Sequence, residues 1–323
     1  MRIVASSRSL LRREGPFAIG IGVFDGVHRG HQELLQRVRD LACTEAVESL
    51  VYTFHPHPAR VLNPARAPSL LEPIEDRLGH FAALGMDATL VERFDAAFAA
   101  TEAERFVDEV LLGCLQARHV VVGEGFRFGL GGRGDVELLR ARAGQQGCQV
   151  HAVAPVALEG ERISSSRIRD RVRAGDVATA KRLLGRPFSL SGLVMRGARR
   201  GSTLGFGTAN VQPENETLPA PGVYAAQANG PMGPHRAVVN VGFNPTFGSD
   251  VLKVEAHLLD YPGGELYGVT LVLHLVERLR DEQRFSGPEA LKAQISRDID
   301  NARRILGRGA ASPRAREQLS GVQ

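Results

Sequence analysis

The sequence has few cysteines, no long apolar run and no strong excess of charge of either sign. Its three cysteines, Cys43, Cys114 and Cys148, show no CxxC spacing, so neither a disulfide framework nor a zinc site is predicted. No window of about 18 uninterrupted apolar residues occurs, which excludes a predicted membrane span. The first residues lack the apolar core of a signal peptide. Together these absences predict a cytoplasmic protein.

The charge distribution leaves two readings open. The net charge of the 323-residue chain is only +4, and its basic residues are not gathered into one block. Arginines recur at 196, 199 and 200 and again at 303, 304 and 308. Such residues bind nucleic acid or small polyphosphates, or simply form a solvated surface. No RNA-binding motif accompanies them, so we expect no nucleic-acid partner, although a non-catalytic RNA-binding protein is the alternative from a different class.

The first half of the chain alternates strand patterns with helix patterns. Apolar residues at helical spacing, such as Leu34, Val38 and Leu41, separate the short β-type runs. This alternation predicts an α/β domain over residues 1–184, Rossmann-like, with a parallel sheet and helices on both faces. The predicted strands are Phe17–Val23, Leu50–Phe54, Ala88–Val91, His119–Val122 and Val150–Val153.

The pattern changes near residue 184 to short β-type segments divided by glycine, proline and asparagine turns. A helix follows, with Leu291, Ile295, Ile299 and Ala302 on one face. Several short strands with one late helix predict a small β-barrel domain over residues 185–308. The remaining residues, 309–323, are polar and are expected to be a disordered tail. The predicted strands are Leu190–Met195, Gly222–Gln227, Ala237–Val241, Lys253–Leu259 and Thr270–Leu275.

One motif runs from the end of the first predicted strand into the first helix. It reads Gly22-Val-Phe-Asp-Gly-Val-His-Arg-Gly-His31. Two histidines beside the free N–H groups of a helix start can hold a triphosphate and stabilise its developing charge. The glycines let the backbone approach a nucleotide closely. The alternative is a glycine-rich turn with two incidental histidines.

A second phosphate corner is predicted at Ser164, Ser165 and Arg167, where serine hydroxyls and an arginine open a helix. A helix N-cap with a surface charge is the alternative. In the second half, the glycine-rich stretch 197–210 could cradle phosphates, and a threonine hydroxyl there could bind Mg²⁺. It is not a Walker A loop, and a glycine-rich hairpin connection remains open. Glu255 lies in an alternating strand, where an outward solvated carboxylate is the simplest reading.

Four motifs of the first half occur in the order typical of bacterial bifunctional riboflavin kinase/FMN adenylyltransferases. They are the motif at 22–32, Phe54-His-Pro-His-Pro58, Gly-x-x-Phe-Arg-Phe-Gly at 123–129 and Ser-Ser-Ser-x-Ile-Arg at 164–169. The segments 239–248, 254–260 and 279–285 resemble the kinase part of the same family. The resemblance extends from about residue 15 to about residue 306.

The resemblance implies two ATP-dependent steps with Mg²⁺: phosphorylation of riboflavin to FMN, and adenylylation of FMN to FAD. It implies small-molecule substrates, no membrane partner, and a monomer or weak homo-oligomer. It assigns catalysis to His28, His31, Arg167 and to Glu255, the base for the ribityl hydroxyl. Metal binding falls to Thr208 and Asn210, and flavin binding to His57, Pro58, Phe126, Phe128 and Arg280. The implied ATP-binding residues are Gly22, Phe24, Asp25, Gly26, Gly30, Ser164, Ser165, Arg200, Gly201, Thr208 and Asn210.

The sequence departs from the family at three positions. Gly125 stands where the family usually has Asn or Asp, Ser202 replaces a basic residue, and Gly207 replaces a proline. We expect weaker flavin binding from the first change, and a slower kinase from the other two, since a phosphate partner and a preset φ angle are lost. The alternative is an adenylyltransferase whose barrel is a weakly active or regulatory flavin-binding module.

Overall fold

The computed structural model describes residues 1–7, 15–196, 207–243 and 252–307. The chain forms two compact units. The first contains Met1–Asp170 and Leu183–Gly185, and the second contains Arg171–Arg182 and the chain from Arg186 onward. The domain limits 1–184 and 185–308 stay predictions, and the predicted tail at 309–323 lies outside the described residues.

A sheet of six parallel strands forms the centre of the first unit, in the order β1-β4-β3-β2-β5-β6. All five strands predicted for this half are confirmed, and so is the Rossmann-like arrangement. The three residues of β1 were not predicted, because so short a segment shows no period. The strands are β1 (Arg2–Val4), β2 (Phe17–Ile21), β3 (Glu48–His55), β4 (Ala88–Arg93), β5 (Ala117–Gly123) and β6 (Gln149–Val153).

Helices cover the sheet, and the central strand β2 is buried along its whole length. Phe17 and Ile19 belong to one apolar cluster, whereas Ala18 belongs to another, as expected for a strand buried on both faces. The helices of the first unit are α1 (Arg29–Glu45), α2 (Pro58–Leu62), α3 (Ile74–Ala83), α4 (Ala96–Ala99), α5 (Ala103–Arg105), which continues as π-helical turns over Phe106–Cys114, and α6 (Val136–Gly144). Helix α7 (Ser165–Arg173) begins in the first unit and ends in the second, and most of α8 (Val177–Leu184) belongs to the second. A small hairpin, β7 (Ala157–Leu158) and β8 (Glu161–Arg162), precedes α7.

Gly20 in β2 determines how closely α1 packs on the sheet. A Cβ at this position would lie 3.0 Å from Val38 and 3.1 Å from Leu35, both on α1. The missing side chain therefore lets α1 approach the central strand, and it places the start of α1 at the carboxyl end of β2.

The strand order reverses between β2 and β5. From β2 the chain adds β3 and β4 on one side, and it then returns to add β5 and β6 on the other. The loops after β2 and β5 therefore diverge, and ligands of open α/β sheets bind in the crevice that such a reversal creates. Both loops carry motifs that the sequence singles out, residues 22–31 and 123–129.

The second unit contains a closed barrel of six antiparallel strands, in the order β10-β13-β12-β11-β14-β9. The predicted barrel and its five predicted strands are confirmed. The sequence reading placed Asn210 at the end of a loop, whereas it lies within an additional strand, β10. The strands are β9 (Phe188–Met195), β10 (Ala209–Pro213), β11 (Gly222–Asn229), β12 (His235–Phe243), β13 (Leu252–Leu258) and β14 (Thr270–Arg280).

The predicted terminal helix is present as α9 (Pro288–Gly307). Its apolar residues Ile295, Ile299 and Ala302 pack with Ala225 of β11 and Val238 of β12, so the helix covers part of the outer surface of the barrel. Within the described residues, no helix combines the length and the apolar character that crossing a bilayer requires.

Candidate functional site

The segment between β2 and α1, residues 22–28, has an unusual backbone. Phe24, Gly26 and Val27 have φ angles of 54°, 81° and 34°. Residues other than glycine rarely adopt positive φ, and such strained positions cluster at functional sites. At Gly26 a Cβ would also lie 2.6 Å from the Leu71 side chain. We call this segment the β2–α1 loop.

Neighbouring elements hold the β2–α1 loop by its carbonyl groups. The Val23 carbonyl accepts hydrogen bonds from Thr53 Oγ1 at 3.1 Å and from Arg77 Nη1 at 2.8 Å. The Asp25 carbonyl accepts one from Ser165 Oγ at 2.9 Å. Strand β3, helix α3 and the start of α7 thus converge on the loop, which brings the predicted phosphate corner at residues 164–165 to the histidine motif.

The two histidines of the motif lie together at the start of α1. His28 is the N-cap residue, and its Nδ1 accepts a hydrogen bond from the His31 backbone N–H at 3.3 Å. The two rings stack with centroids 3.5 Å apart. A Cβ at Gly30 would lie 3.3 Å from the His28 ring, so the glycine leaves room for this stack. The arrangement presents imidazole groups beside the first backbone N–H groups of a helix, which is suited to binding an anion.

Asp25 is a buried carboxylate in the middle of the loop. Its Oδ1 accepts a hydrogen bond from the Leu71 N–H at 2.9 Å, and its Oδ2 lies 3.7 Å from Arg169 Nη2. The pKa of Asp25 is raised from 3.8 to about 6, chiefly by burial; the charge of Glu72 also raises this pKa, and the Leu71 N–H, Arg169 and Arg77 lower it. The site therefore contains a carboxyl group with a pKa of about 6.

The predicted phosphate-binding residues at the start of α7 contact different parts of the structure. Ser164 Oγ accepts a hydrogen bond from the Arg167 N–H at 3.3 Å, which is the N-cap geometry of the alternative reading. Arg167 Nη2 pairs with Glu161 Oε2 at 2.8 Å. By contrast, Ser165 and Arg169 face the β2–α1 loop. The roles of Ser164 and Arg167 stay predictions, and Arg169 is an arginine at the loop that the sequence reading did not assign.

The predicted flavin-side residues of the first unit lie in the loops after β3 and β5. His57 Nδ1 accepts a hydrogen bond from the Ala59 N–H at 3.0 Å, which caps α2, and Pro58 is the first residue of that helix. Phe126 and Phe128 stack with centroids 5.4 Å apart. At Gly125 a Cβ would meet no other described atom within 4 Å, so a larger side chain fits there.

The predicted site of the second unit lies on the outer surface of the barrel. Glu255 of β13 stands directly opposite Asn210 of β10 on one side and Asn240 of β12 on the other. Its neighbours Val254 and Ala256 are buried, so Glu255 points away from the interior. All three polar residues of this row are partly buried, which distinguishes Glu255 from a fully solvated carboxylate.

Thr208 lies just before β10, two residues from Asn210, and is exposed. His257 Nδ1 lies 2.8 Å from the Gly207 carbonyl oxygen, which attaches this end of the loop to β13. Hydroxyl, amide and carboxylate oxygens are the ligands that Mg²⁺ prefers, and Mg²⁺ keeps several waters or substrate oxygens in addition. Thr208, Asn210 and Glu255 therefore fit a magnesium–nucleotide complex. Predicted residues Arg200, Gly201 and Ser202 lie outside the described residues.

Arg280, the remaining predicted flavin contact, holds α9 against the barrel. Its guanidinium group makes bonds of 3.0 Å and 2.8 Å to Asp298 Oδ2 and lies over the Phe285 ring at 5.6 Å. The Asp298 side chain is only 4% exposed. A flavin contact by Arg280 stays a prediction.

The sequence reading missed Arg77, which is 1% exposed. A signal was present, because Ile74, Arg77, Leu78 and Phe81 fall at helical spacing and put a charge within an apolar stripe. It also missed Asn240, which the register of β12 and β13 places beside Glu255. Nothing in the sequence gives that register.

Comparison with known proteins matches each half of the chain to a family. The family model for FAD synthetase matches residues 12–167, and the model for riboflavin kinase matches residues 184–306. A bifunctional riboflavin kinase/FMN adenylyltransferase of Escherichia coli K12 is 38% identical over 289 residues, covering 89% of this chain and 92% of the relative. One from Pseudomonas fluorescens is 36% identical over 311 residues, covering 96% and 99%.

Among solved structures, a crystal structure described as a macrolide-efflux protein from Streptococcus pneumoniae has a TM-score of 0.82. It is 28% identical and covers 93% of this chain and 98% of that one. The two-unit architecture is therefore shared along almost the whole chain.

The buried Asp25 generates a stability prediction. Its folded-state pKa is raised from 3.8 to about 6, so ionisation of Asp25 destabilises the fold. The contribution of the protonated carboxyl group to the free energy of unfolding is fully present below pH 3.8 and is lost as the pH rises through about 6. Asp25→Asn keeps an acceptor for the Leu71 N–H and removes the charge. At pH 8 we expect it to stabilise the first unit by up to about 3 kcal/mol, at about 1.4 kcal/mol per pKa unit.

Amide hydrogen exchange of β2 and α1 measures this effect locally. The variant should exchange more slowly than the wild type at pH 8, and the difference should shrink as the pH falls towards 4. A difference that is independent of pH would contradict the electrostatic explanation.

Proposed function

The chain belongs to the family of bifunctional riboflavin kinase/FMN adenylyltransferases, and we propose that it makes FAD in two ATP-dependent steps, one in each unit. The barrel transfers the γ-phosphoryl group of ATP to riboflavin and forms FMN. The parallel-sheet unit transfers AMP from a second ATP to FMN and releases pyrophosphate. The observation that carries this proposal is the stacked pair His28 and His31 at the start of α1, at the point where the strand order of the sheet reverses.

Adenylyl transfer requires no covalent enzyme group. An oxygen of the FMN phosphate attacks the α-phosphorus of ATP, and the bond to pyrophosphate breaks, so the protein has to align the reactants and stabilise charge. His28 Nδ1 accepts from the His31 N–H, and a neutral His28 therefore carries its proton on Nε2. That N–H group, the His31 ring and the first N–H groups of α1 are the donors for the phosphates.

The phosphate corner of α7 supports the same reaction. Ser165 is bonded to the Asp25 carbonyl, and Arg169 faces the Asp25 carboxylate, so α7 carries an arginine to the edge of the loop. Arginine binds phosphate oxygens in pairs through its planar group. Arg169 is the better placed arginine for this role, because it lies at the β2–α1 loop, whereas Arg167 pairs with Glu161 of the β7–β8 hairpin.

The flavin of FMN lies between the loops after β3 and β5 in this proposal. The half-buried ring of Phe126, which stacks on the buried ring of Phe128, offers an aromatic surface to the isoalloxazine system. His57 and Pro58 form the opposite border, where the capped start of α2 fixes them. Gly125, in the loop after β5, provides no polar side chain, whereas the family usually has Asn or Asp at this position.

In the barrel, Glu255 accepts the proton of the ribityl hydroxyl as that oxygen attacks the γ-phosphorus of ATP, and the bond from the γ-phosphorus to ADP breaks, so that ADP leaves. Its strand position, in register between two half-buried asparagines, suits general-base catalysis, because a group on a strand is aimed more precisely than one on a loop. Thr208 and Asn210 would hold Mg²⁺, which neutralises charge on the phosphate oxygens when bound. Arg200 and Gly201 complete the phosphate loop in this proposal.

The riboflavin kinase match over residues 184–306, together with relatives named for both activities, does not favour the alternative of a merely regulatory barrel. The RNA-binding alternative has no support from these comparisons. The small-molecule substrates fit the family. The monomer or weak homo-oligomer, the lack of nucleic-acid and membrane partners and the cytoplasmic location stay predictions.

Two variants should separate the two activities. His28→Ala should lower FAD formation from FMN by a factor of roughly 10² or more, since it removes a charge-stabilising donor; it should leave the riboflavin kinase rate unchanged. Glu255→Gln should lower FMN formation by roughly 10²–10⁴, as expected for loss of a general base, and should leave FAD formation from FMN unchanged.

Initial rates of FMN and FAD formation, measured by chromatography, test this pair. Glu265→Gln, which changes an exposed carboxylate elsewhere in the second unit, is the matched control and should retain both rates. Loss of both activities in either variant would contradict the assignment of one reaction to each unit.

A third variant tests the open position in the loop after β5. Gly125→Asn introduces a polar side chain into free space, and one added hydrogen bond of about 0.5–1.5 kcal/mol should lower the KM for FMN by roughly 2–10-fold. Gly125→Ala fills the same space without the polar group and serves as the control. An equal KM in both variants would show that position 125 does not contact the flavin.

A further inference from the structure

A buried arginine supports the β2–α1 loop from below. Arg77 of α3 is 1% exposed, and its Nη1 donates to the Val23 carbonyl at 2.8 Å. Its charge interacts with those of Asp25 and Glu72, which are 3% and 4% exposed. Burying charges is unfavourable unless they are paired and hydrogen-bonded, so this group of charges needs an explanation beyond packing.

The segment before α3 is attached to the same loop. Leu71 donates its N–H to Asp25 Oδ1 at 2.9 Å, and its side chain lies against Gly26. The next residue, Glu72, lies 3.1 Å from His80 Nε2 on α3, through its Oε2. The buried residues Leu71 and Arg77 therefore support the loop together, through contacts at Val23, at Asp25 and at Gly26.

We propose that Arg77 is a positioning residue for adenylyl transfer, which fixes the Val23 carbonyl and, together with Glu72, sets the charge around Asp25, so that the loop aims His28 and His31 at the ATP phosphates. The proposal rests on the proposed role of these two histidines. Arg77 itself lies beneath the loop and touches no substrate.

Two physical arguments favour positioning over simple packing. First, a loop with three positive φ angles is not the conformation its residues prefer, so its shape depends on external hydrogen bonds. Second, replacing a buried charged group by apolar side chains is often neutral or stabilising, so packing alone gives no reason for the charges. A misplacement of about 1 Å in a reacting group costs roughly 10²-fold in rate, and a loop carrying two such groups is sensitive to its support.

The arrangement also predicts opposite electrostatic effects from two neighbours. Arg77 lowers the pKa of Asp25, whereas Glu72 raises it. The other charged group that faces Asp25 is Arg169 of α7, and His80 faces Glu72 from α3; His28 and His31 follow Asp25 along the chain. If the ionised Asp25 holds the loop in its active shape, activity rises with pH through the Asp25 pKa, and the two substitutions displace that rise in opposite directions.

The test uses the full-length chain with Arg77→Met, Arg77→Lys and Glu72→Gln. For each variant, kcat and the KM for ATP of FAD formation from FMN are measured between pH 5 and pH 9, a range chosen to bracket the Asp25 pKa of about 6. Riboflavin kinase activity of the same preparations reports intact protein. Arg77→Met should lower kcat by roughly 10–100-fold with a much smaller change in KM, and should move the acid limb of the pH profile to higher pH. Arg77→Lys should recover part of kcat.

Glu72→Gln should move the acid limb to lower pH, and it carries the test if Arg77→Met does not fold. A kcat within twofold of the wild type in Arg77→Met would overturn the proposal. So would a lower rate with an unchanged pH profile in both variants, which is the result of a purely structural role. Full FAD formation in His28→Ala would instead refute the underlying assignment of the histidines, whatever the Arg77 variants do.

Discussion

The hydrogen bonds to the Val23 and Asp25 carbonyls are the interactions on which the proposed adenylyl-transfer site depends. They come from Thr53, Arg77 and Ser165, on three elements that are distant in sequence. The loop they hold is strained and could not keep its shape in an isolated strand–helix segment. The fold thus supplies preorganisation: the sheet positions β3 beside β2, and the helices deliver their donors from either side.

The second site depends on a different constraint, the register of the barrel strands. Glu255 is aligned with Asn210 and Asn240 because β13 pairs with β10 and β12 in one fixed register. A slip by one residue would turn Glu255 into the barrel and Val254 outward. The apolar interior of the barrel excludes such a slip, so the same burial that stabilises the barrel also orients Glu255, the proposed base. One chain therefore prepares two phosphorus-centred reactions by two different physical means.

Much of this could be predicted from the sequence, because it depends on local pattern. Apolar periodicity gave the main strands and the terminal helix, and the motif at 22–31 pointed to a phosphate site at a helix start. The short strands β1 and β10 were not predicted, since three to five residues carry too little periodicity, and β10 follows a glycine-rich stretch.

Which side chains of α7 reach the loop depends on helix geometry. Ser165 and Arg169 are four residues apart and share a face, whereas Arg167 lies on another; sequence alone does not tell which face meets the loop.

The charge network around Asp25 and the register of the barrel strands could not be predicted from the sequence, for a physical reason. Arg77 reaches the β2–α1 loop only because α3 packs against that loop, which precedes it by some fifty residues. Asn240 lies beside Glu255 only because β12 pairs with β13. Both are long-range consequences of folding. The effects of the departures at Gly125, Ser202 and Gly207 could not be predicted from the sequence either, because they depend on what a ligand contacts at these positions. At Gly125 the structure offers open space rather than a substitute group.

A product time course shows whether one chain performs two consecutive reactions. Purified protein is incubated with riboflavin, ATP and Mg²⁺, and riboflavin, FMN and FAD are separated at intervals; a parallel reaction starts from FMN. We expect FMN to appear first and FAD after a lag in the first reaction, and FAD to form without a lag in the second. FAD from FMN alone would contradict a kinase role for the barrel, and no FAD from either starting point would contradict both proposed reactions.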